Sequence, residues 1–281
     1  MIFEVHSKAD ANPCYDIHMN TQKELPDVLI YETEYVDGHR IRVYENEDGW
    51  HSATYLEPDL RTELIFEYMK KFNLMFALPL DIYDVLMIGG GGYSYPKYIL
   101  SHYEDISMDV VEIDPNAEKS ARQFFYLDEV LAKYDPEEKR LHTFIDDGRH
   151  YIANTDRKYD VIINDAYTGV MPEVSLYTLE AAKLIKTKLK EDGVLVANLP
   201  GFYRFEGSRF LQNTLATFAQ VFEHILLVRA DNPLYESHTC NYVMFASDCY
   251  SEIPGRMAYK LRDPVIMHDQ QKKNIEENYE F

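Results

Sequence analysis

The pattern of apolar and polar residues changes near residue 60 and divides the chain into two regions. Between Val28 and Leu56, three β-rich segments are separated by the turn sequences Asp37-Gly38 and Glu47-Asp48-Gly49. Apolar and polar residues alternate through the middle segment, His39–Glu45, as in a strand with one buried face. Residues 1–59 are therefore predicted to form a small antiparallel β domain.

From Tyr83 onward, short apolar segments alternate with helical patterns. The predicted strands are mostly continuous apolar runs, as strands covered on both faces require: Val85–Ile88, Met108–Ile113, Leu141–Ile145, Val161–Ile163, Val194–Leu199, Ile225–Val228 and Tyr242–Ala246. Helices are predicted over Leu60–Phe72, Ala117–Phe125, Arg149–Ala153, Ser175–Leu189 (ended by Asp192-Gly193) and Arg209–Phe222. This alternation predicts an α/β domain over residues 60–281. Its mainly parallel seven-stranded sheet is of the Rossmann-like class I methyltransferase type.

Glycines and acids follow four of the predicted strands, at the sheet edge where ligands bind in such folds. Gly89, Gly90, Gly91 and Gly92 follow the first strand, Glu112 and Ile113 end the second, Asp147-Gly148 follow the third, and Asp165 follows the fourth. Glycines let the backbone turn sharply and approach a ligand closely. A carboxylate can accept both hydroxyls of a ribose, a role for which Asp114 competes with Glu112. Asp165 could orient an attacking amine, accept its proton or stabilise a sulfonium charge.

Each of these positions also has a purely structural interpretation. The glycine run can be a plain turn, Glu112 a solvated acid at a strand end, and Asp147 the N-cap of the next helix. Tyrosines near the predicted edge, Tyr93, Tyr95 and Tyr167, either close over a substrate or pack in the core. The local pattern leaves these alternatives open.

Taken together, the segments DVLMIGGGG, DVVEIDP, FIDDGRHYI and YDVIINDAYTG resemble the spermidine synthase family. The resemblance runs from about Leu60 to Ala246, and the preceding meander is similar to that family's N-terminal β domain. It implies that S-adenosylmethionine or its decarboxylated form binds the glycines, Glu112 with Ile113, Asp147 and Gly148. Glu112 would hold the ribose, Asp147 and Gly148 the adenine, and Asp165 would activate the attacking nitrogen. Candidate substrate contacts are Tyr93, Tyr167 and Thr168, and a homodimer or homotetramer is implied.

Polyamine-forming members of that family carry two acids that this chain lacks. Their GGGDGG segment has an aspartate where Gly92 stands, and the second acid of their DSSDP or DSTDP segment is replaced by Thr168. Their tyrosine-glutamine pair aligns with Arg61-Thr62. The run through Pro172 and Leu176-Tyr177-Thr178 is similar to the divergent, spermidine-synthase-like branch. The resemblance therefore predicts a degenerate polyamine site, since such acids pair with cationic amines.

Four functions remain open at this point. The first is methyl or aminopropyl transfer to an unidentified acceptor, and the second is a genuine polyamine aminopropyltransferase. The third is a non-catalytic nucleoside-binding protein. An NAD(P)-dependent dehydrogenase is disfavoured because Tyr93-Ser94-Tyr95 do not fit the GxGxxG spacing.

The composition narrows the class of partner. The 281 residues carry 48 acidic and 28 basic side chains, a net charge of -20, which disfavours nucleic acids and anionic membranes and favours a cationic substrate. No apolar stretch approaches the ~20 residues of a membrane span, and the first residues do not form a signal-peptide pattern. Cys14, Cys240 and Cys249 form no CxxC pair, and the histidines have no ligand spacing, so no metal is expected. These features predict a cytoplasmic protein, with a loosely held polar end from Asp269 onward.

Overall fold

The computed structural model describes residues 23–25, 28–35, 37–46, 49–169, 171–230 and 239–277. Its smaller sheet is antiparallel, in the order β1 (Lys23–Leu25), β2 (Val28–Glu34), β3 (Arg40–Asn46) and β4 (Gly49–Tyr55). The three predicted strands are present, and β1 precedes them. Residues 47 and 48 of the second predicted turn lie outside the described residues.

The alternation of apolar and polar residues places the apolar side chains of the smaller sheet on one buried face. Ile41 pairs with Tyr55 and Val43 with Ala53, so the four side chains share one face, and all are buried. They pack with Ile65 in a small core of their own. The proposed boundary at residue 59 remains a prediction.

The larger sheet has seven strands in the order β12-β13-β11-β8-β5-β6-β7. Their bounds are β5 (Asp84–Ile88), β6 (Ser107–Glu112), β7 (Leu141–Ile145), β8 (Tyr159–Asn164), β11 (Leu189–Phe202), β12 (His224–Arg229) and β13 (Thr239–Ser247). Strands β7, β6, β5, β8 and β11 pair in parallel, and β13 is antiparallel to both neighbours. A two-stranded hairpin, β9 (Tyr167–Thr168) and β10 (Met171–Pro172), follows β8. The predicted fold class, a mainly parallel sheet of the methyltransferase type, is confirmed.

Helices cover both faces of this sheet. They are α1 (Glu67–Phe72), α2 (Ser94–His102), α3 (Ala117–Phe124), α4 (Leu127–Tyr134), α5 (Gly148–Asn154), α6 (Leu179–Lys188), α7 (Arg209–Phe218) and α8 (Lys272–Glu277). Alternate residues of each central strand serve opposite faces: Val85 and Met87 belong to one core cluster, Leu86 and Ile88 to the other. Met244 and Phe245, in the strand predicted over Tyr242–Ala246, are buried.

Three predicted helix boundaries are wrong, and so is the prediction that Asp192-Gly193 end a helix. The helix expected from Leu60 begins at Glu67, because the backbone of Phe66, the residue before it, is extended. The helix expected from Ser175 begins at Leu179, where Thr178 accepts a hydrogen bond from the N–H of Ala181. It ends at Lys188, and Asp192-Gly193 lie inside β11, where pairing with β8 is interrupted. The helix expected to reach Phe222 ends at Phe218.

The end of the described chain is not loosely held. Asp269 binds Thr178 and Arg149, and His268 contacts Glu180 at 2.9 Å. These polar contacts fasten the segment before α8 to α6 and explain why a polar sequence is ordered there. None of the helices in the described part of the chain is long and apolar enough to cross a membrane.

Candidate nucleoside-binding site

The glycine turn lies between the ends of three parallel strands. The N–H of Gly89 donates to Val111 at the end of β6, and the N–H of Asp165 donates to Ile88, both at 2.9 Å. Gly89 has φ +92°, and a Cβ there would lie 2.4 Å from the backbone oxygen of Asp165. Only glycine therefore permits this approach, which brings the turn against Asp165.

Glu112 is joined to the glycine turn by its side chain. Its Oε2 accepts from the N–H groups of Gly90 at 2.7 Å and Gly91 at 3.1 Å, and its Oε1 accepts from Asp114 at 2.9 Å. The carboxylate is 9% exposed. The structure thus brings Glu112 to the turn, as predicted, and shows a structural task for it as well; its contact with a ribose stays a prediction.

Asp147 and Gly148 start α5 at the same edge. Asp147 accepts from the N–H of His150 at 2.8 Å and is the N-cap of the helix. A Cβ on Gly148 would lie 2.3 Å from the side chain of Ile88, so glycine lets the helix approach β5. Asp147, Gly148 and the 69% exposed Ile113 all line the cavity described below, so capping and ligand contact are compatible.

Asp165 lies where β8 leads into the β9–β10 hairpin. Its Oδ1 accepts from Asn198 Nδ2 at 2.8 Å, and its Oδ2 accepts from the hydroxyl of Tyr68 at 3.3 Å. Burial raises the pKa of Asp165 from 3.8 to about 7, and the two hydrogen bonds oppose that rise. The same burial raises the pKa of Tyr68 well above 10, so its hydroxyl keeps its proton. A carboxyl with a pKa near 7 is suited to accept a proton at neutral pH.

These residues line one cavity of about 880 Å³ between the two sheets. Its wall is markedly acidic. The carboxylates that line it are Glu67, Glu112, Asp114, Asp146, Asp147, Asp165 and Glu173. Among the residues that the structure describes, no lysine or arginine lines it. Glu67 pairs with Lys70 and Glu173 with Lys272, and the other five acids still make the cavity negative. The cavity therefore favours a cationic ligand and opposes an anionic one.

The predicted tyrosines differ in their position. Tyr93 is fully buried, its hydroxyl lies 3.1 Å from that of Thr143, and it does not line the cavity. Tyr95 is also fully buried and donates to Asn73. The expectation that Tyr93 contacts substrate is therefore corrected, because its left-handed backbone at the start of α2 turns the ring into the core. Tyr167 and Thr168 do line the cavity.

Comparison with known proteins agrees with this arrangement. The family model described as the spermine/spermidine synthase domain matches residues 66–253. The chain belongs to the spermine/spermidine synthase family. The match begins at α1 and ends just beyond β13, so it includes the whole cavity edge of the larger sheet.

Individual relatives are distant. The chain is 35% identical over 142 residues to a polyamine aminopropyltransferase of Vibrio vulnificus, covering 49% of this chain but only 43% of that protein. It is 27% identical over 221 residues to the polyamine aminopropyltransferase of Bacillus subtilis, covering 78% of this chain and 72% of the relative.

Solved structures share the fold. A probable spermidine synthase from Corynebacterium glutamicum superposes with a TM-score of 0.65 at 22% identity, over 81% of this chain and 80% of that one. A spermidine synthase in complex with the transition-state analogue AdoDATO gives a TM-score of 0.62 at 20% identity, over 92% and 85%. At this level of identity, the likeness establishes the fold alone, over the part of the chain that the two structures cover.

Gly92, which stands where the polyamine-forming members have an aspartate, is packed against Ser52. The N–H of Gly92 donates to Ser52 Oγ on β4 at 2.7 Å, and a Cβ on Gly92 would lie 2.7 Å from the Cβ of Ser52. An acidic side chain at position 92 therefore does not fit while Ser52 is present. The smaller sheet occupies the space into which that side chain would project.

Arg61, which aligns with the first residue of the family's tyrosine-glutamine pair, does not line the cavity. Arg61 packs over the ring of Tyr126 and binds Glu129, away from the cavity. Phe66, Glu67 and Tyr68 line the cavity instead.

Sequence reasoning missed several side chains of the site. Tyr68 lies within the helix predicted over Leu60–Phe72, where its spacing is typical of a residue packed in the core, although its hydroxyl reaches Asp165. Asn198 and Asn241 lie in predicted or neighbouring strand segments, where a polar residue within an apolar run was the available signal. Glu67 and Glu173 gave no local signal, because an acid at a helix start or in a turn is ordinary.

Proposed function

We propose that this protein is a transferase that moves the aminopropyl group of decarboxylated S-adenosylmethionine to a cationic amine. The observation that carries the proposal is the acidic cavity, which has no lysine or arginine among its described lining residues. S-adenosylmethionine carries a carboxylate that would enter this cavity without a counter-ion, and an unpaired charge is costly to bury. The decarboxylated form lacks this carboxylate, so the net charge of the ligand rises from +1 to +2 and the penalty is absent.

The nucleoside would occupy the edge formed by the glycine turn and α5. Glu112 still has lone-pair capacity for a ribose hydroxyl, because a carboxylate offers about four acceptor sites and three are used here. Ile113 and Leu176 offer apolar surface in the same cavity for a base. Asp147 and Gly148 line the same cavity, which supports the proposal that they contact the adenine.

For this reaction the protein needs mainly to align the amine nitrogen with the carbon bonded to sulfur and to remove one proton. The ligand's sulfonium supplies an activated carbon: the amine nitrogen forms a bond to it, the carbon–sulfur bond breaks, and a neutral thioether leaves. Asp165 would orient the nitrogen and take its proton, a role suited to a carboxyl whose pKa is about 7.

The acceptor end differs from the polyamine-forming pattern at Gly92 and Thr168. Glu67 lies beside Tyr68 at the start of α1 and adds a carboxylate to the wall. Its Oε1 accepts from Lys70 Nζ at 2.7 Å in an exposed ion pair, which a ligand ammonium can join or replace. We therefore propose an acceptor whose attacking amine lies at Asp165 and whose second ammonium pairs with Glu67. The polyamine site, which the sequence predicts to be degenerate, would then bind its amine through a different set of acids.

Product analysis tests this function. The protein is incubated with decarboxylated S-adenosylmethionine and putrescine, cadaverine, spermidine or agmatine, and methylthioadenosine release is measured by mass spectrometry. We expect amine-dependent release that Asp165→Asn abolishes while nucleoside binding persists. Absence of release with every amine, or undiminished release by Asp165→Asn, would contradict the proposal.

Methyl transfer from S-adenosylmethionine is the second candidate, and Gly92 is the observation that favours it, because no acid stands there to repel the ligand's carboxylate. The same incubation with S-adenosylmethionine distinguishes the two by the mass added to the acceptor. Binding without either product would identify a nucleoside-binding protein. The homodimer or homotetramer remains a prediction.

A further inference from the structure

Asn198 is a buried amide in the interior of the fold, near the carboxyl end of β11. It is 3% exposed. Its Nδ2 donates to Asp165, its Oδ1 accepts from Asn241 Nδ2 at 2.9 Å, and its backbone oxygen accepts from the hydroxyls of Tyr167 and Tyr177. Its side chain and its carbonyl are therefore fixed at the same time.

Asp165 and Asn241 together determine which way the Asn198 amide faces. The Nδ2 of Asn241 can only donate, and an ionised Asp165 can only accept. A reversed Asn198 amide would place its oxygen against the Asp165 carboxylate and its nitrogen against the Asn241 nitrogen. Only the observed orientation satisfies both neighbours.

This orientation makes the two oxygens of Asp165 unequal. Oδ1 holds the 2.8 Å bond from Asn198, whereas Oδ2 faces the longer 3.3 Å contact from Tyr68. The longer contact is the weaker one and is more easily exchanged for a ligand atom. Oδ2 is thus the oxygen available to a nitrogen that enters the cavity.

We propose that Asn198, oriented by Asn241, is a positioning residue that holds Oδ1 of Asp165 and reserves Oδ2 for the acceptor nitrogen. The inference rests on the proposed function, in which Asp165 takes a proton from an amine. The Asn198 bond also favours the ionised carboxylate, because a donor stabilises negative charge.

Several other titratable groups share the cavity with Asp165. Tyr68 on α1 contacts it directly, and the remaining acids of the cavity wall are Glu67, Glu112, Asp114, Asp146, Asp147 and Glu173. His51 is the one histidine among the described lining residues. The amide of Asn198 is therefore the strongest described donor to this carboxyl group.

The experiment is a direct titration of Asp165, which requires no turnover. The infrared band of its protonated carboxyl is followed against pH in the full-length protein, with Asp165→Asn as the subtraction reference. Asn198→Asp should move the midpoint upward from about 7 by at least ~1 pH unit, because a donor is replaced by a like charge. Asn241→Leu should move it upward by less, since it only releases the Asn198 amide.

Kinetics supply a second readout where transfer is measurable. The acid limb of kcat/KM should move with the titration midpoint in both variants, with KM for the nucleoside unchanged. Asn154→Asp is the matched control: this exposed residue on α5 bonds only the backbone of His150 among the described contacts, and the variant should titrate like the wild type.

The inference is wrong if the midpoint of Asp165 stays at its wild-type value in Asn241→Leu, and in Asn198→Asp where that variant folds. Transfer by the wild type together with unmoved midpoints would reject the positioning role and leave the proposed function standing. Moved midpoints in a protein that transfers nothing would support the positioning of Asp165 and reject the proposed function.

Discussion

The hydroxyl of Ser52 on the smaller sheet accepts the backbone N–H of Gly92, in the glycine turn of the larger sheet, at 2.7 Å. Ser52 also leaves no room for a side chain at position 92, because a Cβ on Gly92 would lie 2.7 Å from the Cβ of Ser52. The smaller sheet is thus part of the cavity wall, and position 92 cannot change independently of position 52.

This coupling predicts the outcome of restoring the family's acid. Gly92→Asp alone should lower the free energy of unfolding by about 1–3 kcal/mol, because overpacking forces neighbours apart. Ser52→Gly with Gly92→Asp should lose less than the sum of the two single changes, since neighbouring sites are not additive. Urea denaturation of the four proteins measures this cycle. Strict additivity would show that the contact does not matter.

The pKa of Asp165 links activity and stability to pH in opposite directions. Because the folded state raises this pKa from 3.8 to about 7, the folded protein holds the proton more tightly than the unfolded chain across that window. The contribution of Asp165 to the free energy of unfolding therefore falls as pH rises from about 4 to 7. The transferase activity should rise over the same upper range as the carboxylate forms.

Asp165→Asn should accordingly gain stability relative to the wild type as pH rises, by about 1 kcal/mol or more at pH 8. Chemical denaturation at pH 5 and pH 8 measures the difference. Equal wild-type and Asp165→Asn profiles at both pH values would rule out the raised pKa.

Lys97 predicts a second pH dependence, at the junction of the two sheets. Its fully buried Nζ donates to Thr54 at 3.0 Å, to the carbonyl of Arg61 at 3.1 Å and to that of Phe125 at 2.7 Å. Burial lowers its pKa from 10.5 to about 7. The unfolded chain binds more protons between these values, so Lys97 makes the free energy of unfolding rise with pH from about 7 to 10.

Replacing Lys97 by Met should flatten that rise and cost about 1–3 kcal/mol near pH 7, because three oxygen acceptors lose their donor. The exposed Lys183 on α6 provides the control. Denaturation from pH 6.5 to 9.5 should show the wild-type slope in Lys183→Met and a reduced slope in Lys97→Met. A slope retained in Lys97→Met would assign it to other groups.

Glu67 should matter for acceptors with a second ammonium. Glu67→Gln keeps the shape of the side chain but removes its charge, so kcat/KM for a diamine should fall about tenfold, consistent with the loss of a charge-assisted hydrogen bond. A monoamine of equal length should be unaffected. Steady-state kinetics with the matched pair tests this, and an equal loss for both amines would remove Glu67 from ammonium recognition.

The parts of the fold that follow from local pattern were predictable. Val85–Ile88 and Val161–Ile163 are apolar because both of their faces are covered, and this alone identifies them as central strands. Helix α2 was missed because Pro96 breaks the pattern, although proline is tolerated in the first turn of a helix.

In the candidate site, only the residues at or just after the ends of the parallel strands could be predicted from the sequence. Glu112, Asp147 and Asp165 meet because parallel strands deliver their loops to one edge. The contact of Tyr68 with Asp165 joins residues 97 positions apart, and that of Asn241 with Asn198 joins residues 43 apart. Such contacts depend on sheet order and side-chain direction, which no local period encodes. Tyr93 shows the converse, since a residue beside the glycine turn enters the core through its backbone conformation.

The proposed function depends on the acidic cavity binding decarboxylated S-adenosylmethionine in preference to S-adenosylmethionine. Isothermal titration calorimetry with decarboxylated S-adenosylmethionine and with S-adenosylmethionine compares two ligands that differ by a single carboxylate, with methylthioadenosine as the common core. We expect the decarboxylated ligand to bind at least tenfold more tightly than S-adenosylmethionine, a difference of about 1.4 kcal/mol. Equal affinities, or tighter binding of S-adenosylmethionine, would contradict it.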